Sequence, residues 1–326
     1  MKLRVLLLAA WVWSLALGCN KSDPAPGAAP APTQLKLALN WVPEPEFGGF
    51  YAAREIGAFA KEGLEVEIQG GGAGVPVVQM VATGQAQVGI AGADEVLIAR
   101  ARGADLVALF AIYQTSPQGI MAHASRGAAS IGDLLKSGTV AIEPGLSYAK
   151  WLKQKFGEPT AKIVPYDGGV ARFVNDKDFA QQCYVTSEPI AAKRKGADPK
   201  VFLVAETGFN PYIGVVVASR TGWEKNKAPL SAFVRASRAG WDAYLADPKA
   251  ANAVMGKLNS AMDAETFAAA AQAQMPLIRT AEMETAGQRV GVMTKKRWEE
   301  LAAQLVQIGV LDKAPAVDFV VDVDAP

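Results

Sequence analysis

The chain has 326 residues, with 33 basic and 32 acidic side chains and a single histidine, His123. Charges that nearly cancel provide no basic patch, which argues against a nucleic-acid partner. Most zinc sites and hydrolytic triads need a histidine held by other groups, so one histidine excludes most of them. We expect no metal, no cofactor and no catalytic activity, and we interpret His123 as a structural residue.

The first 18 residues follow the order of a bacterial export signal. Two basic residues precede an apolar run from Val5 to Leu17, which is shorter than the roughly 20 residues that span a bilayer. The run ends in the segment L-A-L-G-C, which resembles a bacterial lipobox. We therefore predict a lipoprotein signal peptide over residues 1–18 and lipid attachment at Cys19. The alternative is an ordinary secretory signal with a chance cysteine.

Residues 19–33 predict a linker. They are almost entirely Ala, Pro, Gly and small polar residues, which cannot bury enough apolar surface to fold, and the prolines keep such a chain extended. We expect the spacer to hold the folded body near the membrane, on the periplasmic or extracellular face of the cell envelope. About 290 residues remain, which exceeds the usual limit of a single core and predicts two lobes.

From Leu35 onward, strand-like and helix-like patterns alternate. The first part predicts strands at 35–39, 64–68, 88–90 and 106–113, with helices at 49–61, 75–82 and 94–103. The second part predicts strands at 120–123, 139–142, 162–166, 183–185, 201–204 and 212–218, with helices at 131–135 and 148–156. Everything after Pro229 has a helical pattern. Such alternation predicts mixed sheets flanked by helices.

The helices after Pro229 have no strands of their own, so we expect them to cover the first lobe. The predicted fold is an α/β fold of two lobes, each a mixed sheet flanked by helices, joined by two crossovers. The first lobe is predicted to comprise residues 34–115 and 215–326, and the second lobe residues 116–214. A cleft between two such lobes is a favourable place for a small ligand.

Four phrases of the sequence carry a family resemblance. They are L-N-W-V-P-E-P-E-F-G-G-F-Y-A-A at 39–53, G-A-F-A-K-E-G-L-E-V-E-I at 57–68, M-V-A-T-G-Q-A-Q-V-G-I at 80–90 and C-Y-V-T-S-E-P at 183–189. In order and spacing they resemble the ThiY-like substrate-binding proteins, which deliver thiamine pyrimidine precursors to ABC importers. The resemblance implies a type II periplasmic-binding fold that closes on a small ligand, with an ABC permease and ATPase as partners. We expect a monomer.

The four phrases differ in how specifically they indicate a ligand group. The second recurs in type II binding proteins for alkyl sulfonates and nitrate, so it indicates the fold alone. The aromatic-rich first phrase and the S-E-P of the fourth favour the pyrimidine-type group. The family often has a histidine or asparagine where this chain has Glu44, Pro45 and Glu46, and two acids there could mean a different ligand.

Several candidate site residues lie at the first strand-to-helix turn. Trp41 and Tyr51 flank this turn, and their rings could stack on a flat heteroaromatic ligand or pack in the core. Gly48 and Gly49 at the start of the helix would let a ligand approach exposed N–H groups. Glu46 could contact ligand or be a favourable charge in the first turn.

Further candidates follow later strands. Gly71 lies in a glycine-rich loop that either offers backbone donors or is a plain turn, and Asp94 could accept from a ligand amino group or cap a helix. By resemblance, Glu188 stands where the family has an acid in its second lobe, and a carboxylate there could pair with an aminopyrimidine. The alternative for Glu188 is a first-turn acid. Gln114 and Tyr212, on the crossovers, could bind ligand or fix the hinge.

The sequence thus predicts a non-catalytic binding lipoprotein of an ABC importer, with a heteroaromatic ligand such as a thiamine pyrimidine precursor. One alternative is a binding protein for riboflavin, a sulfonate or nitrate, although the two anions would be expected to need a basic cleft. The other is a pyrimidine synthase of the same fold. The synthases are similar in fold but carry a histidine near the first turn and a cysteine-rich motif, whereas this chain has only His123 and Cys183 in its body.

Overall fold

A computed structural model describes residues 31–323 of the chain. The predicted signal peptide, nearly all of the predicted linker and Cys19 lie outside the described residues. Within 31–323, no helix is both long and apolar enough to cross a membrane.

Ten strands and fourteen α-helices are present in the described part of the chain. The strands are β1 (Thr33–Ala38), β2 (Leu64–Gln69), β3 (Val88–Ala91), β4 (Leu106–Tyr113), β5 (Gln118–His123), β6 (Thr139–Ala141), β7 (Lys162–Val164), β8 (Phe179–Tyr184), β9 (Pro199–Leu203) and β10 (Ile213–Ser219). The helices are α1 (Gly48–Glu55), α2 (Ala58–Lys61), α3 (Val77–Ala82), α4 (Ala93–Ala101), α5 (Ile131–Leu134), α6 (Ser147–Phe156), α7 (Ala171–Asn175), α8 (Glu188–Arg194), α9 (Arg220–Lys225), α10 (Lys227–Ala246), α11 (Lys249–Leu258), α12 (Ala264–Ile278), α13 (Ala281–Thr285) and α14 (Lys295–Gln307).

The first lobe is built on a sheet with strand order β2-β1-β3-β10-β4. Strand β1 pairs in parallel with β2 and β3, whereas β10 runs antiparallel to both of its neighbours, β3 and β4. All eight residues of β4 are buried, as expected for an apolar strand that helices cover on both faces.

The second lobe is built on a sheet with strand order β7-β6-β8-β5-β9. Strand β6 is parallel to β7 and β8, and β5 is antiparallel to β8 and β9. The chain passes from the first sheet to the second between β4 and β5 and returns between β9 and β10. Two mixed sheets, each flanked by helices and joined by two chain crossovers, are the predicted fold class.

Helix α10 covers the first lobe by packing closely on α1. A Cβ atom on Gly49 would lie 2.2 Å from the Trp241 ring, and one on Gly48 would lie 2.1 Å from the Tyr244 ring. The expectation that these two glycines admit a ligand is therefore corrected, because a neighbouring helix occupies that space. Their lack of a side chain serves helix packing.

One predicted helix is divided in two. The sequence pattern predicted a single helix over residues 49–61, but α1 ends at Glu55 and α2 begins at Ala58. Gly57 lies between them with φ of 68°, a left-handed conformation that glycine adopts without strain and that a continuing helix excludes.

Candidate functional site

A cavity of about 180 Å³ lies between the two lobes, beyond the carboxyl ends of β1 and β3. This edge of a parallel sheet is where α/β proteins place ligands, because strand ends and helix N-termini converge there. The described residues that line it include neither lysine nor arginine. They include Asn40, Asp94 and Glu95 from the first lobe and Ser147, Tyr148 and Tyr184 from the second.

Carboxyl groups from both lobes act on Tyr184 by their charge. The pKa of its hydroxyl is raised, first by desolvation and then by the negative charges of Glu46, Asp94, Glu95 and Glu188. Three of these acids belong to the first lobe and Glu188 to the second. Asp94 and Glu95 line the cavity, whereas Glu46 and Glu188 act on Tyr184 from outside the lining. The site is therefore electronegative, with an aromatic ring beside its acids.

The two acids of the first strand-to-helix turn form one unit, which we call the acidic turn (residues 43–46). Burial raises the pKa of Glu44 to about 7, and a hydrogen bond from the Trp41 side chain partly opposes that rise. Burial and the adjacent charge of Glu44 raise the pKa of Glu46 to about 8. Near neutral pH these carboxyls therefore exist partly protonated, so the turn can both donate and accept hydrogen bonds.

Helix α4 contributes two more acids at its first turn. Glu95 accepts a 2.8 Å hydrogen bond from the backbone N–H of Gly92, which anchors its carboxylate at the helix start. Burial raises the pKa of Asp94, and the neighbouring Ser147 side chain partly offsets this. Ser147 begins α6 in the second lobe, so the Asp94–Ser147 contact crosses the cleft.

Glu188 is held from two directions at the start of α8. Its Oε1 accepts a 2.6 Å hydrogen bond from the Tyr166 hydroxyl, and its Oε2 accepts a 2.8 Å bond from the backbone N–H of Tyr184. A carboxylate oxygen has a second acceptor position, so an oriented Glu188 can still accept from a ligand.

The remaining predicted residues of the first turn are placed differently from one another. Trp41 is 42% exposed, and its carbonyl accepts a 2.9 Å bond from the Gly71 N–H, which is thereby occupied. A Cβ atom on Gly71 would lie 2.1 Å from the Leu39 carbonyl oxygen, so the close approach of this loop requires glycine. The structure does not bring Tyr51 into the cleft: its ring is buried in the first-lobe core, 5.2 Å from the Arg54 guanidinium carbon.

The two predicted crossover residues brace the hinge against the C-terminal segment. The Gln114 side chain donates a 2.9 Å bond to the Val292 carbonyl. The Tyr212 hydroxyl accepts a 3.0 Å bond from the Thr294 N–H, and the Arg297 guanidinium lies 3.9 Å from the centre of its ring. Neither side chain lines the cavity described above.

Of the predicted ligand-binding residues, only Asp94 lines this cavity, and Trp41, Glu46, Gly71 and Glu188 do not. Sequence reasoning missed the rest of the lining, including Glu95, Ser147, Tyr148 and Tyr184. Ser147 and Tyr148 begin α6, and Tyr184 ends β8, so each stands at an element end that faces the other lobe. Their position at or next to the end of a predicted strand or helix was the one sequence feature that could have identified them. The lobe that each element would face could not be derived from local pattern.

His123 is buried and contacts Phe173 with both its Nε2 and its ring. Its Nε2 lies 2.6 Å from the Phe173 carbonyl oxygen, and its ring stacks on the Phe173 ring with centroids 4.1 Å apart. Within residues 31–323, no group of three or more His, Cys, Asp or Glu side chains has an arrangement that could hold a metal ion. A buried histidine in this setting fits a structural role.

Residues 44–251 match the model of the family described as NMT1/THI5 like. The chain belongs to the NMT1/THI5-like family. The riboflavin-binding protein RibY of Chloroflexus aurantiacus is 30% identical over 76% of this chain and 76% of its own length. The formylaminopyrimidine-binding protein of Halalkalibacterium halodurans is 23% identical over 83% of this chain and 84% of its own length.

Two further similarities bear on activity and fold. The 4-amino-5-hydroxymethyl-2-methylpyrimidine phosphate synthase of Uromyces fabae is 23% identical over 71% of this NMT1/THI5-like chain and 72% of its own. The periplasmic aliphatic sulphonate binding protein SsuA of Escherichia coli superposes with a TM-score of 0.66 at 15% identity, over 89% of this chain and 92% of its own. This likeness confirms the predicted periplasmic-binding-protein fold.

Proposed function

We propose that this chain is the extracytoplasmic binding subunit of an ABC importer and that it closes on a small heteroaromatic ligand that carries an amino group, such as a thiamine pyrimidine precursor. The observation that carries the proposal is the cavity between the lobes, which is lined by Asp94, Glu95 and Tyr184, with Glu46 and Glu188 acting on the Tyr184 hydroxyl by their charge from outside the lining. Closure would be a hinge motion about the two crossovers.

The chemistry of the cavity supports an amino-substituted ring. Ionised carboxylates accept hydrogen bonds only, so they pair with ring N–H and exocyclic amino groups. Partly protonated acids such as Glu44 and Glu46 can also donate to a ring nitrogen. Tyr148 and Tyr184 line the same cavity, and stacking on an aromatic ring contributes about 1 kcal/mol beyond area burial.

Riboflavin is the second candidate ligand, because the relative at 30% identity is named as a riboflavin-binding protein. The cavity of about 180 Å³ is smaller than the roughly 300–1,000 Å³ of common ligand sites. That size favours a single ring over a three-ring flavin in the conformation described. Sulfonate and nitrate fit less well, because the described cavity lining offers acids and no basic side chain to an anion.

A synthase activity is the enzymatic alternative, and one relative is named as such an enzyme. In this chain the one histidine is stacked on Phe173 and bonded to its carbonyl, away from the cavity lining. Without an accessible histidine at the site, binding is the better supported role.

Lipid attachment at Cys19 and an extended spacer over residues 19–33 complete the proposal, because they would keep a monomeric binding protein close to its permease.

Calorimetric or fluorescence titration with formylaminopyrimidine, hydroxymethylpyrimidine, riboflavin and an alkyl sulfonate tests the ligand class. We expect binding of an aminopyrimidine that weakens about tenfold or more in Glu188→Gln, since charged hydrogen bonds contribute about 1.5–3 kcal/mol. Glu62→Gln is the matched control, because Glu62 pairs with Arg235 on the surface of the first lobe. Absence of binding by all heteroaromatic compounds would remove the proposal.

Mass spectrometry of the membrane fraction, compared with that of Cys19→Ser, tests whether a lipid is attached at Cys19.

A further inference from the structure

A fully buried amide lies behind the acidic turn. Gln274, in α12, is 0% exposed, and its Nε2 donates a 2.7 Å hydrogen bond to the Pro45 carbonyl oxygen. Its Oε1 accepts a 2.6 Å bond from the Tyr113 hydroxyl. Because the Pro45 carbonyl can only accept, these partners fix which end of the amide faces the turn.

The bond to Pro45 acts at the centre of the acidic turn, since Pro45 stands between Glu44 and Glu46. Proline has no N–H of its own, and the backbone bond closing this turn runs from the Phe47 N–H to the Glu44 carbonyl at 2.9 Å. A second buried amide, Asn259, donates to the Pro43 carbonyl at 3.2 Å. Amide side chains from the C-terminal part of the chain therefore hold two backbone carbonyls of the acidic turn by hydrogen bonds.

The other bond of Gln274 leads to the hinge. Tyr113 is the last residue of β4, before the chain crosses to the second lobe, and it pairs with Ile213, the first residue of β10 after the chain returns. Gln274 thus connects the turn that carries Glu44 and Glu46 with the strands from which both crossovers depart. Neither bond reaches the cavity itself.

We propose that Gln274 is a positioning residue for ligand binding, which fixes Glu44 and Glu46 relative to the crossovers and so sets ligand affinity from outside the cleft. This inference rests on the proposed function for the role of the cleft, but its placement of the acids can be tested without ligand. The titratable groups that face Glu44 and Glu46 are Tyr113 of β4, Tyr184 at the end of β8 and Glu188 of α8, with Tyr244 of α10 close to Tyr113.

An isosteric substitution separates positioning from bulk stability. In Gln274→Glu, a protonated carboxyl still accepts from Tyr113 and donates to the Pro45 carbonyl, whereas an ionised one has no proton to donate. We expect near wild-type affinity at about pH 5.5 and an affinity reduced about tenfold, relative to wild type, at about pH 8.5. Gln274→Met, which has neither bond, should bind about tenfold more weakly at both pH values.

Two further variants serve as controls. Phe267→Leu alters a buried ring of the same helix without removing a hydrogen bond, so it should lower Tm and leave the pH profile of binding unchanged. Tyr113→Phe keeps the Pro45 bond and should show a smaller loss of affinity than Gln274→Met, which covers the case that Gln274→Met does not fold.

Carbon NMR titration of the Glu44 and Glu46 carboxyls in ligand-free protein gives the second readout. Their midpoints should fall toward the ordinary glutamate value in Gln274→Met, because a released turn becomes hydrated. Wild-type affinity, pH profile and carboxyl midpoints in both Gln274 variants would overturn the proposal. If the wild-type protein binds no heteroaromatic compound, the proposed function fails, while the carboxyl titration still decides whether Gln274 places the acids.

Discussion

The Tyr166 hydroxyl donates a 2.6 Å hydrogen bond to Oε1 of Glu188, so the orientation of the second-lobe acid depends on a side chain 22 positions earlier in the chain. In Tyr166→Phe this bond is lost while the ring remains. We expect ligand to bind about two- to tenfold more weakly, as for one hydrogen bond of about 0.5–1.5 kcal/mol. Titration calorimetry measures the change. Tyr244→Phe, which removes a hydroxyl bonded to Asn252 in the first lobe, is the control and should retain wild-type affinity.

The acidic turn makes stability depend on pH. The pKa of Glu44 is raised to about 7 and that of Glu46 to about 8, from an ordinary value of 4.5. Between about pH 4.5 and about pH 8 the folded state therefore holds more protons than the unfolded state, and stability falls as pH rises through this window.

Thermal unfolding across this range should show a Tm that decreases toward alkaline pH. Glu46→Gln removes one of the two half-buried carboxyls and should flatten that decrease. A Tm profile in Glu46→Gln with the same slope as wild type would show that these acids are hydrated in the folded protein. Glu67→Gln, an exposed strand residue paired with Lys36, is a suitable comparison and should not change the slope.

The Asp94–Ser147 contact should contribute to closure of the lobes. Asp94→Asn keeps the shape of the side chain but loses its charge, and we expect ligand affinity to fall about tenfold or more. Ser147→Ala should weaken binding by a smaller factor. Because the two side chains interact across the cleft, the double variant should lose less than the sum of the single losses in free energy. Fully additive losses would mean that the two residues act separately.

Close packing between α1 and α10 should govern the stability of the first lobe. A Cβ atom on Gly240 would lie 2.2 Å from the Gly49 carbonyl oxygen, so Gly240→Ala should lower the free energy of unfolding by about 1–3 kcal/mol or more. Urea unfolding measures it. Gly256→Ala, in α11, places its Cβ 3.7 Å from the Phe267 ring, an ordinary contact, and should instead stabilise by up to about 1 kcal/mol.

His123 should matter to folding but not to binding. His123→Phe retains the stack on Phe173 but leaves the Phe173 carbonyl without its 2.6 Å partner, which should cost about 1–3 kcal/mol of stability. Ligand affinity should not change. Loss of a measurable pyrimidine-forming activity in this variant, with binding intact, would instead favour the enzymatic alternative.

The sequence predicted the alternation of elements well where the signal was local. The apolar run of β4 and the periodic helices after Pro229 are examples. The strand β8 was predicted only from Cys183 onward, because Gln181 and Gln182 interrupt its apolar pattern. Both glutamines are buried, and their partners are distant in sequence: Gln181 donates to the Gly169 carbonyl, and Gln182 accepts from the Tyr148 hydroxyl.

Site residues were predictable to the extent that they follow strands. Asp94, after β3, lines the cavity, whereas Trp41 and Glu46, after β1, and Glu188, to which the family resemblance pointed, stay predictions outside its lining. Tyr51 shows the limit of such reasoning, because helical spacing alone does not tell whether a ring faces the cleft or α10 and the core. The proposed role of Gln274 could not be predicted from the sequence for another reason. It depends on hydrogen bonds to two residues that lie 161 and 229 positions away along the chain.

The position of β10 has a consequence for the order in which the chain folds. It lies between β3 and β4, yet it follows both in sequence by about a hundred residues or more. The first sheet therefore cannot close until residues 213–219 have left the ribosome or the translocation channel. The second sheet is made from one uninterrupted stretch, 118–203, and can be complete by then. A domain inserted in this way is expected to fold ahead of the domain that contains it, and β10 joins β3 to β4 only afterwards.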